Sequence, residues 1–225
     1  MATIVYVTPH QDDETLSMGA SIRRHLESGL HDVHVLLLTT GSGSGAQAIV
    51  GLSDADFSAA RDDELVRAVR ALGVRADHIH YASNRIVGKS TLSVCEAQSA
   101  IAAFVAAHPG AWVKTYSNRP ASGRHVDHVN AGQAAVNLLT DGTLGPNSLR
   151  LYVEPWALQA FRSAHPSVSV GTEAAAGSTA ARVRRALDEY EDVDRPGYRY
   201  GIGGISVPSY FDLVRANPVS YYHVP

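Results

Sequence analysis

The sequence predicts an α/β protein with a Rossmann-like, mostly parallel sheet flanked by helices on both faces and a Gly/Tyr-rich C-terminal capping segment. Three observations predict it. Apolar, β-branched runs alternate with helix-period segments through the first 155 residues. The run Val33-His34-Val35-Leu36-Leu37-Leu38 is apolar on both parities apart from His34, as in a strand covered on both faces. Stop signals close the helical segments: Gly29, Gly73 and His108-Pro109-Gly110. Strand–helix alternation of this kind builds parallel βαβ units.

Residues 3–8 (Thr-Ile-Val-Tyr-Val-Thr) read as the first strand. Residues 14–29 read as a helix, with Leu16, Ile22 and Leu26 at roughly helical spacing. A strand follows over 31–40, then the loop Gly41-Ser42-Gly43-Ser44-Gly45. Residues 56–72 form a second amphipathic helix with Leu65, Val69 and Leu72 inward, 78–82 a short strand and 92–107 a third helix. Strand 112–117, helix 128–139 and strand 149–153 complete the pattern. Beyond 155 the periodicity loosens, apart from a helix over 179–191. Six of the ten tyrosines lie between 190 and 222, in a segment expected to fold back over the C-terminal edge of the sheet. The expectation is a single domain over 1–225, with a core at 1–155 and a cap at 156–225.

Bulk properties narrow the function. The chain has 225 residues, 45 % of them hydrophobic, and a net charge of −3, which gives no electrostatic footprint for nucleic acid or a membrane surface. No apolar run reaches the length of a membrane span. Cys95 is the single cysteine, so no intrachain disulfide forms, and it reads as a small buried apolar residue. The opening Met-Ala-Thr-Ile-Val runs directly into strand pattern without a leader, so a cytoplasmic setting is expected.

The chemistry concentrates in two short runs. Pro9-His10-Gln11-Asp12-Asp13-Glu14 follows the first strand. The C-terminal ends of strands in an open α/β sheet are where ligands bind. Ionisable groups crowded there are costly unless a cation or a reaction uses them. His125-Val126-Asp127-His128 supplies more of the same groups. A hydrolytic zinc takes three N/O ligands and keeps one position open for water. His10, Asp13 and His128 make such a set, leaving Asp12 as general base. His125, in the loop before the helix, serves a developing oxyanion or the leaving amine. Asp127 holds an imidazole in its working tautomer, most simply that of His125. Asp12 or Asp13 also suits a helix N-cap. The loop Gly41–Gly45 lacks a Walker lysine and reads as a pocket wall. His25, His31, His34, His78, His80, His108 and His165 read as background, with no carboxylate constellation around them.

These two runs resemble those of the LmbE/PIG-L family of zinc-dependent deacetylases, over residues 3 to about 153. The family's usual motifs are Pro/Ala-His-Pro-Asp-Asp-Glu and His-Pro-Asp-His. Here Gln11 and Val126 stand where proline is usual, and no functional group is lost. Residues 56–73, with Arg61, Glu64, Ala68 and Leu72-Gly73, are similar to the family's second helix, which implies that Arg61 binds substrate. The resemblance implies metal ligands His10, Asp13 and His128, general base Asp12, and His125 with its orienter Asp127. It implies Zn²⁺, with Fe²⁺ or another divalent metal as alternatives, and removal of an N-acetyl group from an amino sugar or glycoconjugate. The tail Tyr200–Val207 lies outside the resemblance and bears on the substrate.

Two other readings compete. One is an amidase on a larger conjugate, such as a thiol-cofactor S-conjugate, decided by pocket size at residues 41–55, 84–90 and 196–210. The other is a catalytically inactive metal-binding or regulatory protein, which predicts a lost base or ligand where all are present. A phosphoryl-accepting receiver domain is excluded by Ser83 and Asn84 after the third strand and by the absence of lysine beyond Lys114. Oligomeric state is not legible.

Overall fold

The computed structural model describes residues 1–86 and 91–225; residues 87–90, part of one segment expected to set pocket size, lie outside the described residues. In chain order the core elements are β1 (Ala2–Thr8), α1 (Asp13–Ser28), β2 (His31–Thr39), α2 (Gly45–Val50), α3 (Asp54–Leu72), β3 (Ile79–Ile86), α4 (Val94–Ala107), β4 (Trp112–Tyr116), α5 (Val126–Thr140) and β5 (Leu149–Val153). The remainder contributes α6 (Leu158–Ala164), β6 (Gly171–Ala174), α7 (Gly177–Glu191), β7 (Val193–Asp194), β8 (Arg199–Tyr200), α8 (Ile202–Ser206), α9 (Pro208–Ala216) and β9 (Val219–His223).

Seven strands form one sheet in the order β3-β2-β1-β4-β5-β9-β6, and β7 pairs with β8 in a separate hairpin. β1 to β5 pair in parallel, whereas β9 is antiparallel to both β5 and β6. The tail is therefore more than a cap: its last strand is built into the sheet. The short, mixed-polarity run Val-Ser-Tyr-Tyr-His concealed this.

Strand alternation divides the core in two. Ile4, Tyr6, Val33, Val35 and Leu37 face one layer with α1, α3 and α7, and Val5, Val7, Leu36 and Leu38 face the other with α4 and α5. Local signals set the helix ends. Ser53 caps α3, and Ser93 and Glu96 form a reciprocal capping box on α4. Gly29 closes α1 in the left-handed conformation, its N–H donating to Leu26 O. Cys95 is exposed on α4, against the expectation of burial.

The topology places the site. From β1 the chain moves to β2 and β3 on one side, then crosses to β4 and β5 on the other. The order reverses between β1 and β4, which opens a crevice at their C-terminal ends. The run after β1 and the run before α5 both empty into it. α5 closes tightly on β4 at Gly132, where a Cβ would stand 2.2 Å from Tyr116 O. Among the described residues no helix is long and apolar enough to cross a membrane.

Candidate active site

At the first run the backbone makes an abrupt turn. Asp12 occupies the N-cap position of α1 with φ 97°, the left-handed region that disfavours an L side chain. Its carboxylate makes no cap hydrogen bond and turns into the crevice instead. Such strain is kept where surroundings over-determine it, and here they do. The Asp12 N–H donates to Tyr190 Oη at 3.0 Å, and Tyr190 donates on to Glu14 Oε1 at 2.8 Å. Arg61 Nη2 donates to Asp12 Oδ2 at 2.8 Å and also to the Gln11 carbonyl. Gln11 ties the turn to the β2 side, its amide donating to Thr40 O and to Asp62 Oδ1. Proline would stiffen this turn covalently; glutamine does so by hydrogen bonds.

The ionisable groups gather as the spacing suggested. The His10 ring stands between two carboxylates, with Nδ1 3.4 Å from Asp13 Oδ2 and Nε2 3.0 Å from Asp127 Oδ2. The His10 N–H also donates to Asp13 Oδ2 at 2.8 Å. His128 Nε2 meets Asp13 Oδ1 at 3.1 Å, and its ring stacks on Tyr116 at 3.9 Å. His10, His125 and His128 each bring a ligand nitrogen within 4.8 Å of the others. His10, Asp13 and His128 thus converge, with His125 beside them.

α5 begins at Val126, so His125 is its N-cap and its Nδ1 accepts the Asp127 N–H at 3.2 Å. The Asp127 carboxylate does not orient His125 as expected. It holds His10 instead, and its other oxygen accepts the Leu92 N–H, with His125 Nδ1 left at 3.9 Å. The first turn of the helix aims the Asp127 side chain back across the crevice.

Charge states follow from burial and neighbours. Burial lifts the Asp12 carboxyl to about 6 against the pull of Arg61. Burial and the adjoining His10 and His128 push His125 down to about 4, so its imidazole is neutral. Because Nδ1 accepts, the proton of that neutral ring sits on Nε2, an assignment made from the hydrogen-bond pattern. Burial opposes a charged His128, but Asp13 and Glu154 outweigh it and raise the imidazole to about 10. A buried imidazole that holds a proton this firmly, between two carboxylates, marks a place that calls for a cation. The donor set of imidazoles and carboxylate fits a divalent transition metal.

Glu154 escaped the sequence reading, and Glu64, named there only as part of the second helix, has a role it did not foresee. Glu154, fully buried after β5, accepts from His128 Nδ1 at 2.7 Å and from Arg124 Nε at 2.6 Å. A carboxylate on the far nitrogen is the kind of outer partner that fixes an imidazole's orientation and tautomer. The position of Glu154 at a strand end on the ligand-binding edge was the available signal. Glu64 accepts from Arg61 Nη1 at 2.8 Å and from the N–H groups of Ile202 and Gly203, which ties α3 to the tail. Arg61 lines the crevice but is 4 % exposed and bound to two carboxylates.

Above these groups lies a cavity of about 580 Å³. Gly41, Ser42 and Ser44 form one wall, as expected of that loop, and Ile205 to Val207 with Tyr210 form another. Trp156 and Tyr210 stack 3.9 Å apart on its rim.

The profile of the GlcNAc-PI de-N-acetylase (PIG-L) family matches residues 5–139. Curated protein sequences give no match. Among solved structures, the chain is similar to a deacetylase of teicoplanin biosynthesis at 18 % identity, covering 99 % of this chain and 98 % of that one, TM-score 0.71. It is also similar to the deacetylase of the A40926 pseudoaglycone at 22 %, covering 98 % and 94 %, TM-score 0.68. A third likeness is to 4-carboxy-2-hydroxymuconate hydratase from Pseudomonas putida KT2440 at 15 %, covering 99 % and 95 %, TM-score 0.61. At these identities the likeness is one of fold.

Proposed function

The chain belongs to the GlcNAc-PI de-N-acetylase (PIG-L) family, and on that premise we propose that it is a metal-dependent hydrolase removing an N-acetyl group from an amino sugar or sugar-bearing metabolite. One observation carries the reading: the buried carboxylates and imidazoles of two distant runs meet at the sheet's switch point, with Asp12 beside the prospective metal ligands. His10, Asp13 and His128 are the ligands in this reading, and Zn²⁺ the first candidate metal. Bound there, a divalent metal supplies Lewis acidity, polarising the acyl carbonyl and acidifying water.

The chain's own groups do the rest. Asp12, raised to about 6, is tuned to accept a proton near neutrality and acts on the attacking water. The His125 Nε2–H donates to the carbonyl oxygen as charge develops on it. Asp127 and Glu154 fix the rings of His10 and His128. The proton taken up by Asp12 passes to the leaving nitrogen, so amide and water yield acetate and a free amine. The stacked Trp156 and Tyr210 offer a flat face to a sugar ring or an aromatic aglycone. Arg61 acts on substrate through Asp12, whose carboxylate it holds in place.

The similar fold of a hydratase gives a second reading, addition of water to a carbon–carbon double bond by the same base. A panel separates the two. Chelated enzyme with and without Zn²⁺ is offered N-acetylated amino sugars, glycoconjugates and unsaturated dicarboxylic acids. Metal-restored acetate release supports the proposal. Water addition to the acids without acetate release replaces it.

A further inference from the structure

A second cluster lies at the opposite edge of the sheet, built from histidines that the sequence reading set aside. β2 opens with His31-Asp32-Val33-His34, and His78-Ile79-His80 leads into β3. The parallel register pairs Val35 with Ile79 and Leu36 with His80. It therefore brings His34 alongside His78 at the N-terminal ends of both strands. His34 shares its parity with Leu36, and so faces the layer covered by α4. His108, the C-cap of α4, arrives at the same end, its ring 5.2 Å from His34.

Asp32 supplies the contacts of a ligand set, and the His78 ring has to turn to complete it: as it stands its Nδ1 donates to the Val33 carbonyl at 3.2 Å and its face stacks on His34, centroids 4.0 Å apart. Asp32 presents one oxygen to each of two imidazoles: Oδ2 lies 3.2 Å from His34 Nε2, and Oδ1 lies 3.4 Å from His78 Nδ1. One donor atom from each of the three falls within 4.8 Å of the others. The far nitrogen of His34 is occupied as well, since Nδ1 and His80 Nε2 are 2.9 Å apart. An imidazole whose second nitrogen is held by an outer partner is the usual form of a ligating histidine. The His34 side chain is 6 % exposed and that of His78 12 %, while Asp32 is 40 % exposed, which leaves a path for an ion. None of these residues touches the catalytic crevice, which opens at the other ends of the strands.

We propose that Asp32, His34 and His78 form a second divalent transition-metal site, of the zinc class, with His80 as the outer partner of His34. Two imidazoles and a carboxylate match the N/O preference of Zn²⁺, Co²⁺ or Ni²⁺ and not the all-oxygen preference of Ca²⁺ or Mg²⁺. On binding, His34 gives the Nε2 lone pair to the ion. Its remaining proton moves to Nδ1 and is donated to His80 Nε2, so the ring stays neutral. The ion staples the start of β2 to the start of β3, segments separated in sequence by the whole of α2 and α3, and its role is structural.

The test is Zn²⁺ stoichiometry on chelated full-length protein after desalting. Wild type should retain two equivalents, His78→Ala and Asp32→Asn one each, and His128→Ala, at the catalytic crevice, one. The double variant His78→Ala/His128→Ala should retain none. Both edge positions are partly exposed, so at least one variant should fold. His34→Ala is the more demanding substitution and is not needed. If wild type retains a single equivalent that His128→Ala removes and His78→Ala leaves untouched, the second site does not exist. If His128→Ala still binds one equivalent that His78→Ala removes, the site stands whatever the fate of the proposed hydrolysis.

Discussion

Replacing Arg61 by methionine tests what this side chain does. The guanidinium is buried and serves three acceptors, Asp12 Oδ2, Glu64 Oε2 and the Gln11 carbonyl. Methionine keeps the volume and removes the charge, leaving two buried carboxylates without their counter-ion. Breaking a buried ion pair from one side costs about 3–5 kcal/mol. Two features favour the lower end. Glu64 keeps the N–H groups of Ile202 and Gly203, and the Asp12 carboxyl, already lifted to about 6 by burial, takes up a proton readily. A loss of roughly 3 kcal/mol corresponds to a fall in Tm of about 6–12 °C for a chain of this size. The sign with pH follows. Without Arg61 the folded-state carboxyl values rise further above their unfolded values, so the penalty is present at high pH and shrinks as pH falls through them. Urea unfolding of wild type and Arg61→Met at pH 8 and pH 5 reads both effects. A loss below about 1 kcal/mol at pH 8, or an equal loss at the two pH values, would refute the counter-ion role and return Arg61 to direct substrate binding.

Three further outcomes follow from the geometry. Gly132→Ala drives a methyl to 2.2 Å from Tyr116 O and 2.6 Å from Asn118 N; urea unfolding should show a loss of about 1–3 kcal/mol. The same shift of α5 moves His128, so turnover should fall on the order of 100-fold. Glu154→Gln removes the charged partner of His128, and Zn²⁺ titration should show affinity at the crevice falling about 10–100-fold. Burial pushes Lys114 down to about 7, so between about pH 7 and the unfolded value near 10.4 the unfolded chain holds the extra proton. Stability should therefore rise with pH across that window and be lost as pH falls through it. Lys114→Met should flatten the slope in urea melts at stepped pH.

The sequence made the α/β core legible because its signals are strong and local. The apolar run of β2 and the glycine stops each act within a few residues, and helix ends differ from expectation by one or two positions. β9 and β6 were not legible, since Val219–His223 owes its strand to pairing with β5 rather than to its own pattern. α2, α8 and α9 are short, and α2 and α8 are held through a small cluster of Ala46, Val50, Phe57 and Ile202. At the site, His10, Asp13 and His128 converge because spacing and topology both demand it. The partner of Asp127 depended on which way the first turn of α5 points, and Glu154 carried no motif. The histidines at the other sheet edge sit in two short runs, Asp32-Val33-His34 and His78-Ile79-His80, that nothing in the sequence connects. Only the β2–β3 register brings Asp32 and His34 to His78.

The central claim is that Asp12 performs the proton transfer beside a metal it does not ligate. The most direct measurement is Zn²⁺-dependent acetate release by Asp12→Asn beside wild type, with bound zinc determined on the same samples. Asparagine preserves the shape and the bond from Arg61 but cannot take a proton. The account predicts unchanged zinc content at the crevice and turnover reduced by about 10²–10⁴-fold. Near-wild-type turnover with zinc bound would contradict it.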